Sequence, residues 1–217
     1  LLLLRRTVPR PETLRGVDGH PHKGFETVTI AYRGAVAHHD SAGNSGIIYP
    51  GDVQWMTAGA GILHKEYHEE NFSRKGGPFE MVQLWINLPK KDKGTPAHYQ
   101  GITSGEMKKI DLENNGGTVH VIAGEFNGNK GTAKTYTPVN LFDIKMKTGG
   151  KTMFSIPANH NTAILLVNGN PTINGENTKE HSFVLLGNDE EDISIESSDD
   201  EVVLVRSGEP IQEPIAS

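Results

Sequence analysis

The sequence HPHKGFETVTI, residues 20–30, combines two metal-ligand side chains with the alternating pattern of a β-strand. His20 and His22 stand two residues apart, which in an extended strand puts both side chains on one face. Val28 and Ile30 continue the same parity, so we expect this face to lead into an apolar core. The stretch therefore predicts a strand that turns two imidazoles inward.

A second ligand pair with the same spacing follows at His64-Lys-Glu66. Ile62 shares the parity of this pair, whereas Lys65 falls on the opposite face, so the ligands are again expected to point inward. Between the two pairs, Tyr49-Pro-Gly-Asp52 predicts a type II turn. If the two strands are neighbours, three imidazoles and one carboxylate converge as a mononuclear, iron-type site with open coordination positions.

The sequence also leaves alternatives open for individual residues. The chain contains ten histidines, and a single His-x-His pair is common by chance, whereas two such pairs joined by a Pro-Gly turn favour a metal site. Glu26 has the parity to join His20 and His22. Trp85 lies on the mixed face of an expected strand at 81–88, where it is either an ordinary packed aromatic or the border of a pocket.

Four segments of the chain resemble the pirin family, in which two stretches serve as signatures. The segments are His20-Pro-His-Lys-Gly-Phe-Glu-Thr-Val28, Pro50-Gly-Asp-Val-Gln-Trp-Met-Thr-Ala-Gly59 running on to His64-Lys-Glu66, Gln83-Leu-Trp-Ile-Asn-Leu-Pro89 and Gly208-Glu-Pro-Ile-Gln-Glu-Pro214. Pirins are two-domain members of the cupin superfamily. The resemblance, which extends over residues 18–215, implies an all-β fold of two tandem cupin-type antiparallel β-barrels, a jelly-roll bicupin.

Composition agrees with an all-β chain of this kind. The 217 residues include 25 Gly and 12 Pro, which indicate frequent turns. The polar stretches 90–94 and 104–117 are typical of connections. We therefore expect an N-terminal metal-binding barrel at 1–117 and a C-terminal barrel at 118–217.

The second half of the chain repeats the first without its ligands. Ala163-Ile-Leu-Leu-Val-Asn-Gly169 resembles Val28-Thr-Ile-Ala-Tyr-Arg-Gly34, each as a strand that runs into a glycine. An ungapped alignment on this repeat puts Ser155 and Pro157 in place of the first histidine pair. A second ungapped alignment, with Gly187-Asn-Asp as the counterpart of Gly51-Asp52, puts Asp200 and Val202 in place of His64 and Glu66. The second barrel is thus expected to be degenerate and metal-free, with His160 and His181 in surface or loop positions.

The resemblance to pirins also implies a ligand set and an activity. The expected ligands are His20, His22, His64 and Glu66, with Glu26 as a partner that orients an imidazole. The cofactor is one divalent ion, Fe(II) first, with Mn, Co, Ni, Cu or Zn able to compete. The implied reaction is the quercetin 2,3-dioxygenase type, oxidative cleavage of a flavonol with release of carbon monoxide, with Glu66 as catalytic proton acceptor.

Two other functions fit the same residues. Pirins are also known as metal-dependent regulators, so the alternative is a non-enzymatic iron-binding redox sensor whose protein partner is a transcription factor or a metabolic enzyme. A closed structural site is the third reading, although such sites more often use Cys ligands, which this chain lacks. A deep apolar cavity over the ion would favour the enzyme, and a sealed ion would favour the other two.

Charge and composition argue against several further classes of protein. A net charge of −6 argues against direct nucleic-acid binding, and the absence of Cys excludes disulfides. No apolar run reaches membrane-spanning length, and Leu1–Leu4 precede Arg5-Arg6, the reverse of a signal peptide. We expect a cytoplasmic monomer with no membrane association. Because pirins run further at both ends and the chain lacks an initial Met, it is expected to be part of a longer polypeptide.

Overall fold

A computed structural model of the chain describes residues 2–10, 15–188 and 191–213. It divides into two units, Leu1–Glu106 and Met107–Ser217. The sequence prediction placed this division after Gly117. The strand Lys108–Asp111 pairs with the strand Gly117–Ala123 and therefore belongs with the second unit. Leu1 of the leucine run and Pro214 of the final family motif lie outside the described residues.

The first unit contains two antiparallel sheets and a short helix, α1, at Glu70–Lys75. Its strands are β1 (Leu2–Val8), β2 (Gly16–His22), β3 (Phe25–Arg33), β4 (Val36–Asp40), β5 (Ser45–Ile48), β6 (Val53–Thr57), β7 (Ile62–His68), β8 (Gly77–Asn87) and β9 (His98–Ile102). One sheet has the order β1-β8-β3-β6-β9, and the other has the order β2-β7-β4-β5. The two ligand pairs lie on β2 and β7, which are neighbours in the second of these sheets.

The second unit follows a similar plan. Its strands are β10 (Lys108–Asp111), β11 (Gly117–Ala123), β12 (Glu125–Phe126), β13 (Asn129–Lys130), β14 (Val139–Met146), β15 (Lys151–Ser155), β16 (Asn161–Asn168), β17 (Thr172–Ile173), β18 (Glu176–Asn177), β19 (Phe183–Leu185), β20 (Asp192–Glu196) and β21 (Glu201–Gly208). The sheet orders are β10-β11-β14-β21-β16-β19 and β15-β20-β17-β18, beside the β12-β13 hairpin. The expectation of an all-β chain built from antiparallel sheets is thus confirmed, although strand pairing in the described residues does not close either unit into a continuous barrel.

The stretch at residues 20–30 is two strands, so the prediction of one continuous strand is wrong. β2 ends at His22, and β3 begins at Phe25 in the other sheet. Gly24 makes this change of sheet with φ of 77°, a value that a residue without a Cβ adopts at little cost. The Lys93 ammonium donates to the Gly24 carbonyl at 2.9 Å and holds the turn. The two imidazoles therefore belong to one sheet, and Val28 and Ile30 belong to the core of the other.

The internal repeat is visible in the strands themselves. β3 and β16 both have a register shift near their C-terminal ends. Each is followed by a glycine with positive φ, 80° at Gly34 and 84° at Gly169. Only glycine adopts this conformation without strain, so the same turn chemistry is used twice.

The counterpart of the ligand strands in the second unit is the pair β15 and β20, which occupies the place of β2 and β7 in the sheet order. Phe154 of β15 lies opposite Ile193 of β20, and both side chains are buried in the apolar cluster of this unit. Asp200 precedes β21, and Val202 lies within it, so the ungapped alignment that made them counterparts of His64 and Glu66 is wrong. Apolar side chains fill this part of the second unit.

The two isolated histidines of the second unit differ from each other. His160 lies in the loop between β15 and β16, as expected, but it is buried there rather than on the surface, with its Nδ1 3.1 Å from the Ser207 hydroxyl. His181 is partly exposed in a turn with φ of 63°. In the described part of the chain, none of the helical segments combines the length and apolar character of a membrane span.

Candidate metal centre

The two ligand pairs, His20 with His22 and His64 with Glu66, lie side by side because β2 and β7 pair in antiparallel register. His20 is directly opposite His64, and His22 is opposite Ile62. The ring centroids are 4.6 Å apart for His20 and His22, 5.6 Å for His20 and His64, and 5.7 Å for His22 and His64. The structure therefore brings together the three imidazoles that the sequence pattern selected.

Glu66 completes this group from the next inward position of β7. Its Oε1 lies 3.5 Å from Nε2 of His64, which is too long for a well-formed hydrogen bond. The Gln83 amide donates to Oε2 at 2.8 Å, and the Thr29 hydroxyl donates to Oε1 at 3.3 Å. Both donors come from the facing sheet, on β8 and β3. They fix the carboxylate beside the imidazoles.

The environment of Glu66 favours its ionised form. Burial alone raises the pKa of this carboxyl group, but the adjacent His64 imidazole and the hydrogen bonds from Gln83 and Thr29 outweigh burial, so the pKa is lowered overall. The Trp85 indole N–H donates to the side-chain oxygen Oε1 of Gln83 at 3.4 Å. The side-chain nitrogen Nε2 of Gln83 is then the atom directed at Glu66. A negatively charged carboxylate is thus held next to three imidazoles.

Nε2 of His64 is the atom that best tests whether this group suits a metal ion. His64 is 1% exposed, and Nε2 has no hydrogen-bond partner in the described part of the structure. A buried ring nitrogen left without a partner is costly, unless a ligand or an ion satisfies it. The observation fits a divalent cation, since the neighbouring donors are imidazole nitrogens and a carboxylate.

The other two imidazoles are also suited to binding a cation. Nδ1 of His20 lies 2.8 Å from the Asp18 carbonyl oxygen, which assigns the proton to Nδ1 and leaves the lone pair on Nε2. Burial, followed by the neighbours His20 and His64, lowers the pKa of His22 to about 4. His22 is therefore neutral at physiological pH, the state in which imidazole binds metals.

The side chains are adjacent, but they are not yet arranged around an ion. Within residues 2–10, 15–188 and 191–213, no set of three or more His, Asp or Glu side chains forms a ready-made ion site. His20 packs edge-on against His22 with an interplanar angle of 81°. Binding would require small rotations of these rings, and the ligand set remains a prediction.

Glu26, the other carboxylate with suitable parity, has a different environment. It lies on β3, opposite Thr57 of β6, and is 1% exposed. The Thr57 hydroxyl donates to Glu26 Oε1 at 2.7 Å. Burial raises the pKa of Glu26. A carboxyl group satisfied by Thr57 in the other sheet is a poorer candidate than Glu66 for contact with His20, His22 and His64.

His38 and Tyr99 adjoin the candidate site and were missed by the sequence analysis. His38 of β4 lies opposite Glu66 of β7, and its ring stacks on Tyr99 of β9 at 5.0 Å. The pKa of His38 is lowered to about 4, mainly because the imidazole is buried. The only available signal was the parity that His38 shares with Val36, and such an alternation is too common to single out one histidine.

A cavity of about 510 Å³ lies between the edge strands of the two sheets in the first unit. His38 and Tyr99 border it together with Gln54, Ile48 and Ile102. The Tyr99 hydroxyl lies 3.1 Å from Nδ1 of His64, so one side chain separates this cavity from the candidate site. The cavity has a mixed polar and apolar lining, which suits a small organic molecule better than a macromolecule.

Trp85 is not a packed core aromatic. It is 58% exposed, stacks on Phe25 with ring centroids 4.8 Å apart, and lies 5.8 Å from the His22 ring. The structure thus favours the second of the two readings of Trp85, an aromatic surface at the border of the ligand group.

Replacement of Gln83 by Leu should raise the pKa of Glu66, because it removes an N–H donor from the charged carboxylate. In the wild-type protein, the lowered pKa means that ionised Glu66 stabilises the fold above the pKa of the unfolded chain. That contribution is lost as the pH falls through the folded-state pKa. In Gln83→Leu this loss should occur at higher pH. A ¹³C NMR titration of the metal-free protein measures the pKa, with Gln54→Leu as control, and an unchanged value would contradict the role given to Gln83.

The chain is similar to known proteins over most of its length. The family model Pirin matches residues 5–86, and the model for the Pirin C-terminal cupin domain matches residues 141–217. A Pseudomonas aeruginosa protein named "Putative quercetin 2,3-dioxygenase" is 44% identical over 207 residues, which cover 95% of this chain and 72% of that protein.

Two solved structures extend the comparison. A quercetin 2,3-dioxygenase from Acinetobacter baumannii has a TM-score of 0.94 and 42% identity, covering 100% of this chain and 77% of its own. A bacterial pirin from Escherichia coli in complex with nickel(II) has a TM-score of 0.73 and 26% identity, covering 90% of this chain and 77% of its own. These matches confirm the expectation of two cupin-type domains.

Proposed function

Because this chain belongs to the pirin family, we propose that it is a metal-dependent dioxygenase that cleaves flavonols, with His20, His22, His64 and Glu66 as the ligands of one divalent ion. The observation that carries the proposal is the buried, unpartnered Nε2 of His64 beside the Glu66 carboxylate. The names of the relatives from Pseudomonas aeruginosa and Acinetobacter baumannii support the same activity.

The donor set of three imidazoles and a carboxylate suits Fe(II) best, and Mn, Co, Ni, Cu or Zn can compete for it. The nickel(II) complex of the Escherichia coli pirin supports binding of a divalent transition metal in this family. When bound, such an ion supplies a Lewis acid that polarises a substrate oxygen.

Glu66 is the proton acceptor in this proposal. Its lowered pKa keeps it ionised at neutral pH, so it can take the proton of a flavonol hydroxyl. Gln83 and Thr29 orient the carboxylate by their hydrogen bonds. The exposed face of Trp85 beside His22 offers a surface on which a planar ring can stack.

The test begins with protein purified without added metal. Elemental analysis identifies the bound ion, and an anaerobic mixture with quercetin is started by adding oxygen. We expect a redox-capable divalent ion in near-stoichiometric amount, consumption of quercetin and release of carbon monoxide. Quercetin that stays intact in the presence of the loaded protein and oxygen would contradict the dioxygenase activity.

The second candidate function is a metal-dependent regulator that acts through a protein partner. Burial of the histidines favours it, since His22 and His64 are 5% and 1% exposed and leave a substrate little direct access to an ion between them. A bound, redox-active ion without any carbon monoxide release would support this alternative over the enzyme.

A further inference from the structure

The proposed function leaves the cavity of about 510 Å³ in the first unit without a role. This cavity lies between β5 and β9, which are edge strands of the two sheets. Its described lining residues include neither Trp85 nor any of the four ligand candidates. The cavity is therefore a different space from the one beside the histidines of β2 and β7.

Two buried polar side chains border this cavity, and each has a nitrogen atom without a partner. Gln54 of β6 is 3% exposed, and His38 of β4 is 7% exposed. In the part of the chain that the structure describes, Nε2 of Gln54 and Nδ1 of His38 make no hydrogen bond. Buried nitrogens of this kind are costly and call for a partner. A molecule in the adjoining cavity is in the right place to supply one.

Each of these side chains stands opposite a glycine of an edge strand. Gln54 pairs with Gly101 of β9, and His38 pairs with Gly46 of β5. A Cβ at Gly46 would lie 2.6 Å from Nε2 of His38, so the imidazole covers this glycine. A Cβ at Gly101 would meet nothing within 4 Å beyond its chain neighbours. Opposite residues of paired strands share a face, so the space beside Gln54 is open at Gly101.

The charges around the cavity favour an uncharged ligand. No Lys or Arg is among its described lining residues, and Asp52 is the one carboxylate there. Both oxygens of Asp52 already accept backbone N–H groups, from Tyr49 at 3.1 Å and from Ser104 at 2.8 Å. A charged molecule would lose its hydration here without gaining an ionic partner, which is costly.

The remaining surface of the cavity suits a planar molecule with an oxygen acceptor. The rings of His38 and Tyr99 stack with centroids 5.0 Å apart, and Ile48 and Ile102 add apolar surface. An aromatic ring packs well against such groups. The side-chain nitrogen of Gln54 is a donor, so the matching group on a ligand is a carbonyl oxygen.

We propose that this cavity is a second ligand site of the first unit, which binds a small, uncharged, planar molecule whose carbonyl oxygen accepts from the Gln54 amide. Its volume lies within the range of about 300–1,000 Å³ that is typical of small-molecule pockets. The inference does not depend on the proposed dioxygenase activity, because it requires neither a metal ion nor turnover.

The test uses benzamide, benzoate and benzylamine, three probes that share a ring and differ in charge. Each is titrated into the full chain, with and without Zn(II), while the backbone amide signals are followed by ¹⁵N NMR. We expect saturable binding of benzamide in both forms, with the largest shifts at Gly46 and Gly101. Benzoate and benzylamine should bind more weakly by about 10-fold or more. Absence of saturable benzamide binding, or equal or tighter binding of either ion, would overturn the proposal.

Gly101→Leu tests whether the probe occupies this cavity. Gly101 is not among the glycines with positive φ, so a leucine is tolerated by the backbone and extends into the open space beside Gln54. Benzamide affinity should decrease by about 10-fold or more. Gly94→Leu is the matched control, because it adds the same side chain in open space at a residue that does not line the cavity. It should keep wild-type affinity, and an equal decrease in both variants would contradict the location.

Gln54→Leu tests the donor while keeping a side chain of similar size. Loss of one hydrogen bond should weaken benzamide binding by about 3–10-fold, and unchanged affinity would contradict the role of the amide. Trp85→Ala should bind benzamide as the wild type does, since Trp85 does not line the cavity. If Trp85→Ala lost the probe and Gly101→Leu kept it, the probe would bind beside the ligand candidates and the second site would be refuted. Absent quercetin turnover counts only against the dioxygenase.

Discussion

His64→Ala is expected to remove most of the bound metal while residues 107–217 stay folded. His64 lies opposite His20 and beside Glu66, so its loss leaves two imidazoles on β2, one carboxylate on β7 and one ligand fewer than the proposed set. The decrease in affinity should exceed the about 10–100-fold typical of changes behind a ligand. Elemental analysis after dialysis measures the metal. NMR signals of the apolar cluster of the second unit report its folding.

His39→Ala is the matched control for this variant. His39 is the neighbour of His38 on β4 but faces the other way, where its ring stacks on Tyr67. Removing it deletes the same imidazole from an exposed surface, and metal content should stay at the wild-type level. If His64→Ala retained as much metal as His39→Ala, the site would have been assigned to the wrong residues.

The sequence predicted the ligand group because its signal is local. Two residues at i and i+2 on a strand must share a face, and this holds whatever the rest of the chain does. The pairing of β2 with β7 then brought His20 opposite His64, as the prediction required. The two strands needed only to be neighbours, although four strands of the two sheets separate them along the chain.

The surroundings of the group could not be predicted in the same way. Gln83 contacts Glu66 from β8 and Tyr99 contacts His64 from β9, so their roles depend on the order of strands in the facing sheet. Nothing in the local sequence around Tyr99 marks it as a partner of His64. The alternation of inward and outward side chains could not be extended past Gly24. The turn at Gly24 moves the chain from one sheet to the other, so residues before and after it no longer share a face.

The residue-by-residue counterparts in the second unit could not be predicted from the sequence either. Its repeat with the first unit was found from the strand that ends in Gly169, but insertions between strands made the ungapped counterparts unreliable. Strand order instead identifies β20 as the counterpart of β7, with Ile193 and Ile195 buried in the apolar cluster. A metal-free second barrel remains a prediction, and these apolar residues give it a physical basis.

Glu66→Gln should keep the fold and part of the bound metal but abolish oxygen-dependent cleavage of quercetin. The substitution preserves shape, and the three imidazoles remain. A neutral amide cannot take the proton of a flavonol hydroxyl, and loss of a general base typically lowers rates by about 10²–10⁴-fold. Oxygen uptake and carbon monoxide release, each normalised to metal content, measure this loss separately from any decrease in loading.

Glu26→Gln gives this experiment its discriminating control. Glu26 is buried and Glu66 is partly buried, and both had the parity that made them candidates. Glu26, however, accepts from Thr57, whereas Glu66 lies 3.5 Å from His64. Turnover per bound metal should survive in Glu26→Gln and disappear in Glu66→Gln. The reverse pattern would transfer the proton-acceptor role to Glu26. Equal and full activity in both would mean that neither carboxylate takes the proton, and the base would have to be sought outside the ligand strands.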